Sequence, residues 1–289
     1  MIQVFQPVIE VFEPEFMQRA LFAGLLAVVA SSLVGTWVVL RGLAFLGDAL
    51  AHGVIPGIAV AVLWGFNPIL GALLAAAVMA GMVTFVSSRS SIREDTGIGL
   101  LFVGMLSLGV VIVSRARSFN TEVTALLFGN ILGVTLPDIL TQSIATVIVA
   151  VAIVVLHRPF VALTFNAQKA ESLGLHPKRA HLAMMVLLAL SIVASFQAVG
   201  TLLVFGLLVG PPATAALVTN RIPMMMIVSI FFGSVAVVAG LTVSFYANTA
   251  GGATMAGLSV AQFFVVLAVT EAVKVLRKSP AGLSGTASV

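Results

Sequence analysis

An acid and an imidazole four residues apart, Asp48 and His52, stand inside the stretch Arg41-Gly-Leu-Ala-Phe-Leu-Gly-Asp48-Ala-Leu-Ala-His52-Gly-Val-Ile-Pro56-Gly57. On a helix that spacing stacks the two side chains on one face. A carboxylate beside an imidazole supplies half of a site for a divalent metal. Pro56 has no N–H, so the carbonyl of His52 loses its usual helical partner and a helix break is expected there. The neighbours Gly47, Ala49, Ala51, Gly53 and Gly57 are small, and Gly53-x-x-x-Gly57 is a spacing that admits a second helix at close range. Spacing alone leaves two readings open: a metal site, or a structural pair hydrogen-bonded at a helix end. One Asp and one His also fall short of a complete site, because zinc takes four ligands and manganese wants more oxygens. Two copies related by a two-fold axis would double the donors, with the Gly and Ala face as their contact.

The elements that must position this pair are set by composition. Of 289 residues, 60% are hydrophobic and only 8% charged, with a mean hydropathy of +1.19. Soluble domains carry about a quarter charged residues, so the chain is expected to be an integral membrane protein. Charge-free runs over 20–40, 182–220 and 222–270 fit helices of roughly 20 residues each, and their continuity excludes alternating barrel strands. The net charge of +4 and pI near 10.1 reflect few charges and basic loops rather than a nucleic-acid surface, since no basic block with interleaved aromatics is present. With no cysteine, disulfides, iron–sulfur clusters and thiolate zinc sites are excluded. The acidic first segment, with no basic residue before Arg19, has the wrong charge for a cleaved signal peptide.

The fold class expected is all-α, a single polytopic domain of nine membrane-spanning helices, or eight if the second proves short or broken. The spans fall at about 16–40, 44–64, 69–88, 96–114, 138–156, 182–197, 200–219, 223–246 and 258–276. Gly65-Phe-Asn-Pro68 reads as a turn, and Pro211-Pro212 is expected to interrupt the seventh span. The apolar piece 124–136 is too short to span and reads as re-entrant or interfacial. The segment 247–257, rich in small residues, reads as a loop. If 157–181 faces the cytoplasm, 11 of the 14 Lys and Arg do so too, leaving Arg19, Arg115 and Arg117 outside. The positive-inside rule then puts the N-terminus outside and the C-terminus in the cytoplasm.

Other polar residues read more plainly. Glu271 and Lys274 make an interfacial pair, and Glu94 and Asp95 favour the positive start of a helix. His157, His176 and His181 have no acidic partner at helical spacing and read as surface residues. From Asn166 to Gly174 the chain has a capping Asn, a short helix carrying Ala170 and Glu171, and a Gly stop before Pro177. That is either a simple connector or a helix that engages a motor protein.

Three stretches now carry a likeness. They are Arg41–Gly57; then Arg93-Glu-Asp-Thr-Gly-Ile-Gly99 with Leu127-Phe-Gly129-Asn-Ile-Leu132; and then Ala170-x-x-x-Gly174, Val199-Gly-Thr-Leu-Leu-Val204 and Pro211-Pro-Ala-Thr-Ala215. In this order the chain resembles the permease subunit of the ABC importers for zinc, manganese and iron. The resemblance implies a homodimer in the bacterial inner membrane, ATP bound and hydrolysed on a separate cytoplasmic subunit, and a metal-delivering protein outside. It implies that Asp48 and His52 match the pathway metal site, and that Asn166, Ala170, Glu171 and Gly174 match the coupling helix. The family usually has Asp where Asn166 stands. Asn caps a helix equally well, but a charged contact to the ATPase at that point is lost. No Gly-x-x-x-x-Gly-Lys-Ser/Thr occurs, so this chain is not the nucleotide hydrolase. Rival readings are a permease for a chelate such as a siderophore or cobalamin, a secondary transporter working without an ATPase, and an intramembrane metallopeptidase. The last lacks a His-Glu-x-x-His motif.

Overall fold

The computed structural model describes residues 10–89, 94–114, 131–165, 171, 174 and 176–278. These form α1 (Glu15–Leu40), α2 (Ala44–Gly53), α3 (Ile55–Leu63), α4 (Pro68–Arg89), α5 (Glu94–Ser114), α6 (Leu136–Val155), α7 (His157–Phe165), α8 (Pro177–Val199), α9 (Thr201–Val218), α10 (Ile222–Ala247) and α11 (Gly251–Lys278), with one 3-10 turn at Ile131–Gly133. Among the described residues eight helical units are long and apolar enough to cross a bilayer, α2 and α3 counting together as one, and α9 is a shorter apolar helix beside them. Among the described residues the fold is therefore an all-α membrane bundle, as the apolar runs require.

α1 is the hub. It packs against α6, α8, α9 and α10, and Ala20, Ala23, Ala27, Val28, Val34 and Trp37 are all fully buried along it. α5 and α11 lie at the rim, with only 22% of each apolar stretch buried. Their Leu100, Val103, Phe264 and Val269 are exposed, which suits a lipid-facing surface. α1 ends in a Schellman turn: Gly42 takes φ +66°, its N–H reaches the carbonyl of Val39 at 3.0 Å, and Leu43 N–H reaches that of Val38 at 2.9 Å. Three residues therefore join α1 rigidly to α2. The expected turn at 65–68 has the same construction at the far end of α3. Gly65 takes φ +71° and Phe66 N–H bonds the Ala61 carbonyl at 2.7 Å.

Three expectations need correction. The segment 251–257 is helical, not loop: its Gly and Ala residues start α11 because they fit against close neighbours, with Met255 on Gly240 and Ala256 on Gly206. The polar stretch 157–181 holds α7 and the first turns of α8, which begins at Pro177 rather than near 182. Proline is well placed at a first helical position, where its missing N–H costs nothing. The 124–136 piece lies mostly outside the described residues, and its far end makes the 3-10 turn. Pro211 and Pro212 do not interrupt their span, for α9 runs through both. Pro212 removes the N–H that the Leu208 carbonyl would normally accept. That oxygen lies against Gly35 of α1, so close that a Cβ at position 35 would come within 2.0 Å of it. The backbone of α1 covers the freed oxygen and α9 stays whole.

A candidate metal site on a broken helix

The span carrying Asp48 and His52 is the one that breaks. α2 ends at Gly53, Val54 serves both as its last cap and as the first cap of α3, and Pro56 follows in the first turn of α3. The proline thus sits where a new helix can start, two residues beyond the break. Both pieces are anchored through small residues. Gly53 lies on the Met79 thioether of α4, and Gly57 and Gly71 meet backbone to backbone, so that a Cβ on either would come within 2.1–2.3 Å of the other's carbonyl oxygen. The Gly53-x-x-x-Gly57 face does bring two helices together, but the partner is α4 of the same chain. It is not free for a second copy.

That packing leaves Asp48 and His52 on the remaining face, with side chains 26% and 24% exposed. His52 Nδ1 stands 3.2 Å from Asp48 Oδ1 and 3.1 Å from the Asp48 carbonyl oxygen. Two acceptors at one nitrogen require the proton on Nδ1, so that in the neutral imidazole the lone pair is on Nε2. The Phe102 ring of α5 meets the imidazole edge-on at 5.9 Å and 89°, and also packs against Phe45 at 5.7 Å. A carboxylate that orients an imidazole whose other nitrogen is free is a recurrent arrangement around metals. Phe102 and Phe45 complete the setting. Sequence reasoning missed Phe102, since a Phe fifty positions from His52 on another apolar helix carries no local mark.

Among the described residues no three His, Cys, Asp or Glu side chains cluster tightly enough to hold a metal. One chain therefore offers an acid and an imidazole and no third donor of those types. The remaining site residues lie apart. Glu171 is exposed in a helical position, and Gly174 is exposed with φ +71° and its N–H on the Glu171 carbonyl at 3.1 Å. Asn166 and Ala170 lie outside the described residues. Glu271 and Lys274 form their expected pair at 2.7 Å. His157 and His181 are not surface residues: His157 packs on Trp37, and His181 is partly buried against Arg41.

Known proteins resemble this chain in sequence and in fold. Residues 13–270 match the model of the family described as the ABC 3 transport family. The manganese import system permease protein ScaB of Streptococcus parasanguinis is 36% identical over 87% of this chain and 89% of its own. A manganese transport system membrane protein of Listeria monocytogenes is 35% identical over 86% and 89%. The chelated iron transport system membrane protein YfeD of Yersinia pestis is 33% identical over 96% and 93%. Among solved structures, PsaBC from Streptococcus pneumoniae in complex with a Fab matches with a TM-score of 0.81 at 30% identity, covering 92% of this chain and 95% of that one.

Proposed function

Because the chain belongs to the ABC 3 transport family, we propose that it is the membrane permease of an ATP-driven importer of a divalent transition metal, with manganese the first candidate. The relatives named for manganese support that choice, and the iron relative makes iron the next metal to test. ATP is bound and hydrolysed by a separate cytoplasmic subunit, and a metal-binding protein delivers the ion from outside. The N-terminus lies outside and the C-terminus in the cytoplasm.

The observation that carries the reading is the Asp48–His52 pair at a helix break within the bilayer. A charged group there is costly, by roughly 2.5–3.5 kcal/mol on insertion scales, and marks a pathway. Since among the described residues one protomer presents only two such donors, the metal passes between two copies, each contributing its Asp48–His52 pair. The contact runs through the side of α2 on which Asp48 and His52 stay partly exposed, beside α5, because the glycine face is already occupied by α4. ATP binding and hydrolysis rock the two protomers, acting through the 166–174 segment with Asn166, Ala170, Glu171 and Gly174.

The test is manganese uptake by the reconstituted complex. Replacing His52 or Asp48 with Ala is expected to stop uptake while the assembled complex still forms. A chelate permease needs no ionic site and would keep transporting its substrate in both variants. A secondary transporter would move metal with this chain alone, without an ATPase.

A further inference from the structure

The end of α1 nearest the 157–181 segment is gripped from two sides. Trp37, fully buried, meets the His157 ring at 5.5 Å and the Phe160 ring at 5.5 Å, both on α7. One turn on, Arg41 donates from Nη1 to His181 Nδ1 at 3.0 Å and lies 3.8 Å from the Met184 sulfur, both on α8. Residues four apart share a helix face, so one stripe of α1 holds the helices on either side of the 166–176 segment. Arginine only donates. His181 therefore receives this bond on a neutral Nδ1, and the contact has a direction and a required tautomer. Arg41 is also the last cap of α1, and the Gly42 turn leads straight into α2, which carries Asp48 on its second turn.

We propose that the Arg41–His181 contact, seconded by Trp37 on α7, is the link that carries movement of the ATPase-facing segment into the metal-bearing helix. The inference rests on the permease reading given above. In that setting Arg41 and His181 are positioning residues, which touch neither metal nor nucleotide. A displacement of the 166–176 segment moves the start of α8. His181 passes it to Arg41, and the three-residue turn with its two backbone hydrogen bonds hands it to α2 without slack. A long flexible loop at this point would absorb the same displacement.

The experiment measures metal uptake and ATP hydrolysis together, in the complex of this chain with its ATPase and its metal-binding protein reconstituted in vesicles. H181F keeps a flat ring but removes the acceptor. H181N keeps an acceptor oxygen near the place of Nδ1. With H181F, uptake per ATP hydrolysed is expected to fall about tenfold, the equivalent of one hydrogen bond to a charged group, while hydrolysis continues. H181N is expected to restore most of the ratio. A purely structural role lowers assembly and hydrolysis together and leaves the ratio unchanged, which overturns the proposal. If H181F does not assemble, R41M takes its place, since it keeps an unbranched apolar stem and has no donor. An unchanged ratio in R41M likewise overturns it. D48A and H52A run alongside: if they lose uptake while H181F keeps a normal ratio, the permease reading stands and only the link fails.

Discussion

Two spans carry proline in mid-membrane, and the bundle treats them in opposite ways. α9 takes Pro211 and Pro212 without interruption, because Gly35 of α1 lets a backbone close over the freed Leu208 oxygen. The span of α2 and α3 has one such residue, Pro56, and it breaks at Val54. The difference is not in proline chemistry, which removes one N–H per residue in both cases. It lies in what faces the freed carbonyl. α9 is buried against α1, α10 and α11, whereas the partly open side of α2 is where Asp48 and His52 stand. The continuous helix holds two consecutive prolines, whereas the interrupted one holds a single proline beside its acid–imidazole pair, where the Val54 N–H turns onto the His52 carbonyl.

The sharpest way to break this comparison is at the healing glycine. In G35A the new Cβ would sit 2.0 Å from the Leu208 carbonyl oxygen and 3.0 Å from the Pro212 ring. Neither is a flexible group, so α1 and α9 must part. The expected loss is at the upper end of the 1–3 kcal/mol typical of overpacking, or beyond it, read as a large fall in the unfolding temperature and in the yield of monodisperse protein. G57A meets the Gly71 carbonyl oxygen at 2.1 Å and is expected to cost nearly as much, this time in the span that carries Asp48 and His52.

Next come the prolines themselves. P56A returns an N–H to the His52 carbonyl and lets α2 and α3 fuse. Metal uptake is expected to fall while thermal stability holds or rises, since alanine is favoured over proline inside a helix by about 3 kcal/mol. P212A is expected to leave uptake near wild type, because α9 is already continuous. Equal uptake in the two variants would remove the distinction between the spans. The smallest effect belongs to G53A, next to His52. Its Cβ first meets the Met79 thioether, with the sulfur at 2.2 Å, and a flexible thioether can adjust. A stability change under about 1 kcal/mol is expected by unfolding in detergent.

Much of this was legible in the chain itself. The membrane bundle followed from apolar runs, and the Asp48–His52 stacking from a spacing of four. Gly65-Phe-Asn-Pro68 announced its turn, where the Asn67 side chain also caps the next helix by accepting from Ile69 N–H at 2.8 Å. What escaped depends on partners far along the chain. Gly251, Gly252 and Ala253 resemble a loop until the helix they start is seen packed on Gly206 and Gly240 through Ala256 and Met255. The Gly53–Gly57 face advertised close helix contact without saying that α4 supplies it. Nothing near Pro212 in sequence reveals Gly35, and nothing near His181 reveals Arg41, which is 140 positions away. Local pattern reports what a residue can do, and tertiary packing decides which of those things it does.

The central claim, that Asp48 and His52 meet the transported ion, is tested most directly by manganese uptake into vesicles holding the complete complex with D48A or H52A. The account expects both variants to assemble and hydrolyse ATP yet accumulate no metal above the leak of empty vesicles. Uptake at the wild-type rate in either variant would contradict it.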